Sequence, residues 1–111
     1  MAEISREVAH IGKSVIIKGE LSGSEDLYLD GEVEGSIELK QNSVTVGPNG
    51  RVKAKISAKN VVLEGKVEGN VFGAERVEIR GTAVVTGDLV TKRIVIAEGA
   101  FFKGSVNQGG E

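Results

Sequence analysis

The sequence predicts a single all-β domain, built as a triangular solenoid in which short parallel strands stack coil upon coil. Composition is the first observation: the 111 residues include 16 Val and 9 Ile against 6 Leu and 8 Ala, with 16 Gly. β-Branched side chains suit a pleated surface, so this is a composition of strands and turns. The second observation is that two apolar motifs recur about every 17 residues. A short strand cannot bury its apolar side alone, and stacking such repeats into a solenoid buries it.

The first motif is a pair of apolar residues two positions apart. This spacing places both side chains on the same face of a strand. Successive first members are separated by 17, 17, 16 and 17 residues, so we expect one pair in each coil. The pairs are Leu27/Leu29, Val44/Val46, Val61/Leu63, Val77/Ile79 and Ile94/Ile96.

The second motif has the pattern apolar-x-small-x-apolar, and links of three or five residues join it to the first. We expect the small central residue to face a narrow lumen that a larger side chain would crowd, and Leu39, Ala58 and Gly73 to face inward after it. A shorter, earlier turn contains Val15, Ile17, Leu21 and Gly23. The complete motifs are Val33-Gly35-Ile37, Val52-Ala54-Ile56, Val67-Gly69-Val71, Val85-Gly87-Leu89 and Phe102-Gly104-Val106.

Charged residues test this register from the outside. Aligning the second motifs stacks Glu34, Lys53 and Glu68 in one outward column, whose alternating signs suit neighbouring parallel strands. A second column contains Glu32, Arg51 and Lys66 and includes one like-charged pair, so the agreement is partial. The basic cluster Arg51, Lys53, Lys55 and Lys59 is best explained as the partner of the acidic coil before it.

The pattern divides the chain into a solenoid at residues 13–106 and two tails. The N-terminal tail, residues 1–12, is expected to be disordered, and the C-terminal tail is residues 107–111. Ile4, Val8 and Ile11 follow helical spacing, but the segment is too short for a confident membrane helix. A weak membrane contact through residues 1–12 stays open as an alternative.

The residues offer little for catalysis or cofactor binding. The chain has no Cys and one His, which excludes thiolate sites and multi-histidine metal sites within one chain. The sequence Gly12-Lys13-Ser14 lacks the earlier glycine of a phosphate-binding loop. Glu25, Asp26 and Asp30 lie at a solvated turn without an apolar pocket to raise a pKa. We therefore expect no catalytic residue, no cofactor and no metal.

Composition also bears on partners and location. The net charge is −2 and the isoelectric point is near 5.5, so no nucleic-acid partner is expected. The absence of Cys fits a reducing compartment, and the N-terminus lacks the pattern of a signal peptide. A cytoplasmic location is expected.

The two ends of the solenoid are the candidate functional surfaces, because terminal repeats without polar caps expose core and unpaired backbone. Neither end shows a convincing capping helix, and the last coil contains two of the three Phe. The candidate C-terminal interface contains Ile94, Ile96, Phe101, Phe102 and Val106. The candidate N-terminal interface contains Val15, Ile17 and Leu21.

An outward column on the face of the first motif is a second candidate surface. Either lateral association or the strand propensity of these residues accounts for it, and the sequence leaves both open. The column contains Ile16, Tyr28, Thr45, Val62, Glu78 and Val95, and the candidate lateral residues are Ile16, Tyr28, Val62 and Val95.

The repeat, the segment Glu25–Ile37 (EDLYLDGEVEGSI) and the segment Glu98–Gly104 (EGAFFKG) together resemble the bactofilins, over about residues 11–106. The resemblance implies a right-handed β-helix of about six coils that is a cytoskeletal subunit. It also implies a homopolymer, formed end to end without nucleotide as a non-polar filament. Family members recruit cell-wall-modifying enzymes and often associate with the inner face of the cell membrane through an N-terminal tail, so these are the expected partners.

Two other functions fit a solenoid of this period. Hexapeptide-repeat acyltransferases have coils of similar length, but they usually need a catalytic His between subunits, and the sequence places His10 before the repeat. A solenoid binding module would need regular outward ladders of Thr or aromatic residues, and the outward residues here are mixed.

Overall fold

In the computed structural model, which describes residues 8–108, all regular structure is β-strand and every strand pairing is parallel. The strands form one continuous sheet that winds into six coils. No helix among the described residues is long and apolar enough to cross a membrane. The strands are β1 (Val8–Ile11), β2 (Ile16–Ser22), β3 (Asp26–Leu29), β4 (Glu32–Glu38), β5 (Ser43–Val46), β6 (Arg51–Leu63), β7 (Lys66–Ile79), β8 (Val84–Ile96) and β9 (Phe101–Asn107).

Each coil has a short first strand segment, a turn and a longer second segment. The strands β6, β7 and β8 each continue from the second segment of one coil into the first segment of the next. We number the coils 1 to 6, and their residues are 8–22, 26–39, 43–58, 60–73, 76–91 and 93–107.

The strand register confirms the predicted alignment of both motifs. Leu27 pairs with Val44, which pairs with Val61, and the column continues through Val77 to Ile94. The second motifs align in the same way from Val33 to Phe102. The predicted fold, a parallel β-solenoid of about six coils with a period near 17 residues, is therefore confirmed.

The buried core lies entirely within coils 2 to 5. Leu39, Ala58 and Gly73 face inward as predicted. In coils 1 and 6 the equivalent inward residues are only partly buried, because each has a neighbouring coil on one side. The buried apolar residues are Leu27, Leu29, Val33, Ile37, Leu39, Val44, Val46, Val52, Ala54, Ile56, Ala58, Val61, Leu63, Val67, Val71, Val77, Ile79, Ala83, Val85 and Leu89.

The turns after the first strand segments extend the backbone ladder between coils. The Asp30 amide donates to the Ile11 carbonyl at 2.9 Å, and the Gly47 amide donates to the Leu29 carbonyl at 2.8 Å. The same bond recurs at Glu64, Arg80 and Ala97 in the later coils. Because the turns are bonded as regularly as the strands, each coil is held to its neighbour along most of its length.

The small central residue of the second motif has a different role from the one predicted. Gly35 is exposed rather than inward, and its φ is +134°, a region that L-residues rarely adopt. A Cβ placed there would collide with the backbone of Gly19 in the coil before. Gly69, Gly87 and Gly104 repeat this geometry, whereas Ala54 has its side chain buried. Glycine is required at these positions because the strand bends there with a positive φ and because the backbones of neighbouring coils approach closely. The prediction that the small residue faces a narrow lumen is therefore wrong at the glycines.

The solenoid begins earlier than the sequence pattern indicates. β1 lies within the segment assigned to the N-terminal tail and pairs with β3, with His10 opposite Tyr28. The second motif of coil 1 is Ile17-Gly19-Leu21, aligned with Val33-Gly35-Ile37, and its small residue, Gly19, was not part of the predicted turn. Residues 1–7 and 109–111, which belong to the predicted tails, lie outside the described residues.

Replacing Gly69 by Val tests the bend. The substitution should lower the free energy of unfolding by at least about 1–3 kcal/mol, since a side chain there combines a strained φ with a backbone collision. Gly12→Val is the matched control, because a Cβ at Gly12 meets nothing within 4 Å. Thermal unfolding followed by circular dichroism should show a clear loss for Gly69→Val and little change for Gly12→Val. Equal melting temperatures would contradict this role for Gly69.

Candidate assembly surfaces

Both ends of the solenoid present strand edges with one neighbour instead of two. β1 pairs with β3 and β2 pairs with β4, and among the described residues neither has a strand on its other side. β9 pairs with β8, and the segment 93–96 pairs with 76–79, in the same one-sided way. Unpaired strand edges are templates for pairing with another chain unless they are covered. No helix covers either end within residues 8–108.

Exposed apolar side chains are concentrated in the terminal coils. Of the nine large hydrophobic residues that are exposed within residues 8–108, seven lie in coil 1 or coil 6. The other two, Phe72 and Val84, lie in the middle of the chain. The seven terminal residues are Val8, Val15, Ile16, Val95, Ile96, Phe101 and Val106.

The structure places all five predicted C-terminal interface residues in coil 6. Phe102 aligns with Val85 and is half-buried against the core. Phe101 aligns with Val84 and is 53% exposed, which puts its ring on the outer face beside the end. Ile94 is half-buried against the core, while Ile96 and Val106 are exposed. Coil 6 therefore presents inward apolar groups at its open side and an outward Phe at its rim.

The three predicted N-terminal interface residues lie in coil 1. Ile17 and Leu21 are half-buried against the core, below Val33 and Ile37, and Val15 lies in the turn before β2. The sequence pattern missed Val8 and Ile11, which belong to the same end. The missed signal is the pair Ala9/Ile11, which lies 18 residues before Leu27/Leu29 and aligns with it.

An apolar groove lies beside these residues at the N-terminal end. It is lined by Ala9, Leu21, Leu27 and Leu39, with Ser22–Glu25 at its rim. The groove exposes further apolar surface at coil 1.

The outward column on the first strand segments differs from the predicted one at a single position. Its first member is His10, whose ring meets that of Tyr28 edge-on with centroids 5.0 Å apart. Ile16 belongs instead to the second-segment column, where it aligns with Glu32. The misplacement arises because Val15 and Ile17 have the two-residue spacing of the first motif, whereas Ile17 is the first residue of the second motif of coil 1.

The rest of this column is less apolar than the sequence alone indicates. Tyr28 and Val62 are half-buried and Val95 is 42% exposed. Glu78 interrupts the apolar run and pairs with Arg76 at 3.0 Å and Arg80 at 2.7 Å. Desolvation, followed by the nearby carboxylates of Asp30 and Glu64, raises the pKa of the Tyr28 hydroxyl, so the phenol is neutral at physiological pH.

The turn carboxylates have structural partners. Asp26 accepts hydrogen bonds from the Ser43 amide at 3.0 Å and from Asn42 Nδ2 at 3.3 Å. Asp30 accepts from the Asn49 amide at 3.0 Å and from Asn49 Nδ2 at 3.1 Å. Both carboxylates thus hold a turn of the next coil. Across residues 8–108 no group of three or more His, Cys, Asp or Glu side chains could hold a metal ion.

Comparison with known proteins gives a consistent result. A family model for the bactofilins, described as polymer-forming cytoskeletal, matches residues 9–107. Among curated proteins of Myxococcus xanthus, bactofilin BacO is 45% identical over 97 residues, which cover 87% of this chain and 76% of BacO. Bactofilin BacN is 43% identical over 100 residues, covering 90% of this chain and 88% of BacN. Bactofilin BacP is 39% identical over 99 residues, covering 89% of this chain and 41% of BacP. No solved structure matches significantly.

Substitution of Asp30 tests whether its carboxylate stabilises the turn of the next coil. Asp30→Ala should lower the free energy of unfolding by about 1–3 kcal/mol, because it removes the acceptor of two hydrogen bonds to Asn49. Glu25→Ala is the control, since Glu25 is an exposed carboxylate immediately before β3 in the same region. Urea denaturation should show a loss of stability for Asp30→Ala alone. A loss of equal size for Glu25→Ala would show that general charge, and not the turn contact, is responsible.

Proposed function

The chain belongs to the bactofilin family of polymer-forming cytoskeletal proteins, and we propose that it is a subunit that joins end to end into filaments without nucleotide. The observation that carries the proposal is the contrast between the coils. Among the described residues, coils 2 to 5 contain the buried core, while the equivalent residues of coils 1 and 6 are half-buried or exposed beside unpaired strand edges. A second copy stacked at each end would supply the missing neighbour.

The proposed filament is non-polar, with C-terminal end joined to C-terminal end and N-terminal end to N-terminal end. Such junctions are two-fold symmetric, so each end surface must complement itself. Apolar surfaces can do this, because burial of apolar area does not require paired opposite charges. Ile94, Ile96, Phe102 and Val106 would meet their own copies at one junction, and Ile17 and Leu21 would meet theirs at the other.

The cellular role follows from the family and is proposed at that level. We assign the filament a scaffolding role for cell-wall or cell-shape machinery in the cytoplasm, at or near the inner face of the membrane. Cell-wall-modifying enzymes are the proposed partners. Residues 1–12 are the proposed membrane contact, and of these Val8–Ile11 form strand β1. The outward column of Tyr28, Val62 and Val95 is retained as a candidate lateral surface.

The enzyme and binding-module alternatives gain no support from the site. His10 lies in coil 1 and packs edge-on against Tyr28, so the acyltransferase alternative has its only His at the end of the solenoid. The outward columns mix charged, aromatic and aliphatic residues, unlike the regular ladder expected of a solenoid binding module.

Assembly should proceed without nucleotide or divalent metal. Purified protein in buffer containing EDTA should form filaments visible by negative-stain electron microscopy, since the junction is proposed to depend on apolar burial. Addition of ATP, GTP or Mg²⁺ should leave filament length and sedimentation unchanged. Assembly that starts only when one of these is added would contradict the proposal.

Substitution of Phe101 tests the C-terminal junction. Phe101→Arg places a charge at the rim of the interface, and the cost of desolvating it should outweigh the roughly 1.5–3 kcal/mol that burial of a Phe contributes. The variant should stay folded by circular dichroism and sediment as a monomer or small oligomer. Phe102→Arg should have the same effect on assembly and also loosen coil 6, because Phe102 packs on the core.

The matched control is Phe72→Arg. Phe72 is 48% exposed, against 53% for Phe101, but it lies in coil 4, away from both ends. This variant should form filaments of wild-type length. If Phe101→Arg and Phe102→Arg also form full-length filaments, coil 6 takes no part in assembly and the proposed function loses its basis.

A further inference from the structure

Charges on the outer surface are segregated by coil in one part of the solenoid. Residues 25–38 contain six acidic residues and no basic one, whereas residues 41–59 contain four basic residues and no acidic one. We call the first set the acidic belt (Glu25, Asp26, Asp30, Glu32, Glu34 and Glu38) and the second the basic belt (Arg51, Lys53, Lys55 and Lys59). The belts lie on adjacent coils, with Glu32 opposite Arg51 and Glu34 opposite Lys53.

Within the chain, Asp26 and Asp30 hold the turns described above, but the belts form few ion pairs with each other. Among the described residues, the belts contribute one ion pair, between Arg51 and Glu32 at 3.5 Å, with the Arg51 side chain 66% exposed. Coils 4 and 5 are different, because there Arg76 and Arg80 lie among acidic residues and make three ion pairs with Glu78 and Glu64. Glu34 and Lys53 lie opposite each other in register but form no ion pair among residues 8–108, so much of this outward charge stays available to another molecule.

On the face formed by the start of β4 and β6 the two belts form a compact patch of four outward side chains. Glu32, Glu34, Arg51 and Lys53 alternate with the buried Val33 and Val52, so all four point away from the core. The patch is acidic on one coil and basic on the next. A two-fold axis that runs parallel to the strands, between these two coils, would place the acidic half of one copy against the basic half of another.

We propose that this patch is a lateral contact between two copies of the chain, arranged side by side and antiparallel. In this contact Glu32 and Glu34 of each copy face Arg51 and Lys53 of the other, so that both halves of the patch are paired at once, as an isologous interface allows. The patch lies in coils 2 and 3, and the contact is therefore distinct from the end junctions. The contact would pair neighbouring filaments, and this consequence rests on the proposed function.

Two charge-reversal variants test the contact. The first, Glu32→Lys with Glu34→Lys, makes both halves of the patch basic, and the second, Arg51→Glu with Lys53→Glu, makes both halves acidic. Each variant alone should form single filaments, because its patch repels its own copy. A mixture of the two should restore lateral pairing, since a basic patch then meets an acidic one. If these four residues paired only within their own chain, mixing the two variants would not change lateral pairing.

The matched control for nonspecific attraction is Glu75→Lys with Glu98→Lys. It makes the same change in net charge as the first variant but at exposed positions away from the patch. By itself it should pair laterally like the wild type, and mixed with the second variant it should not restore the pairing that the patch variant restores. Circular dichroism melts of every variant check that the fold is retained.

Negative-stain electron microscopy and sedimentation at low salt give the readout. Wild-type pairing should be present near 10 mM salt and lost near 1 M, where the screening length falls from about 30 Å to about 3 Å. The proposal is overturned by lateral pairing of either patch variant alone, by equal rescue with the control, or by the absence of wild-type pairing at low salt. Pairing that persists in both patch variants would favour the Tyr28 and Val95 column instead.

The same experiment distinguishes this proposal from the filament proposal. Failure of the lateral contact leaves single filaments, whereas failure of the end junctions leaves subunits that do not elongate. If subunits do not elongate, sedimentation velocity of the mixed patch variants still measures their association, and mixed variants that sediment as monomers overturn the lateral contact.

Discussion

The structure depends on the direction of its backbone hydrogen bonds. In a stack of parallel coils the amide and carbonyl groups of each strand point toward the coils before and after it. Strands and turns both follow this rule, as the bond from the Gly47 amide to the Leu29 carbonyl shows. A coil is therefore complete only with neighbours on both sides. The core follows the same rule, since its inward residues are buried in coils 2 to 5 and half-buried or exposed in the two end coils.

The register of coils 2 to 6 could be predicted from the sequence because strands have a period of two residues and the inward positions are apolar in every coil. Coil 1 could not be predicted as well. Its first inward residue is Ala9, a weak signal, and Val15 and Ile17 imitate the spacing of the first motif although Ile17 begins the second. The sequence also shows where a glycine lies but not its φ, so the bend at Gly35 was mistaken for an inward position.

The candidate site was partly predictable for a related reason. The first and last copies of a repeat can be recognised from the sequence, so residues in coils 1 and 6 could be named as end residues without knowledge of the strand geometry. Side-chain direction at the end depends on register, and the register of the last motif placed Phe102 inward and Phe101 outward. Ion pairs between coils depend on side-chain conformation, which the repeat pattern does not specify.

The half-buried end coils have a thermodynamic consequence. In a solenoid, stability is close to a sum of contributions from each repeat and from each contact between neighbours, so the end coils are the least stable part of an isolated subunit. Joining two ends converts terminal coils into interior ones, and folding and assembly become linked equilibria. The melting temperature of the subunit would then rise with protein concentration, as it does for any protein whose native state is the binding partner. A dilute subunit would fray at its ends, and the polymer would be the more stable form of the fold.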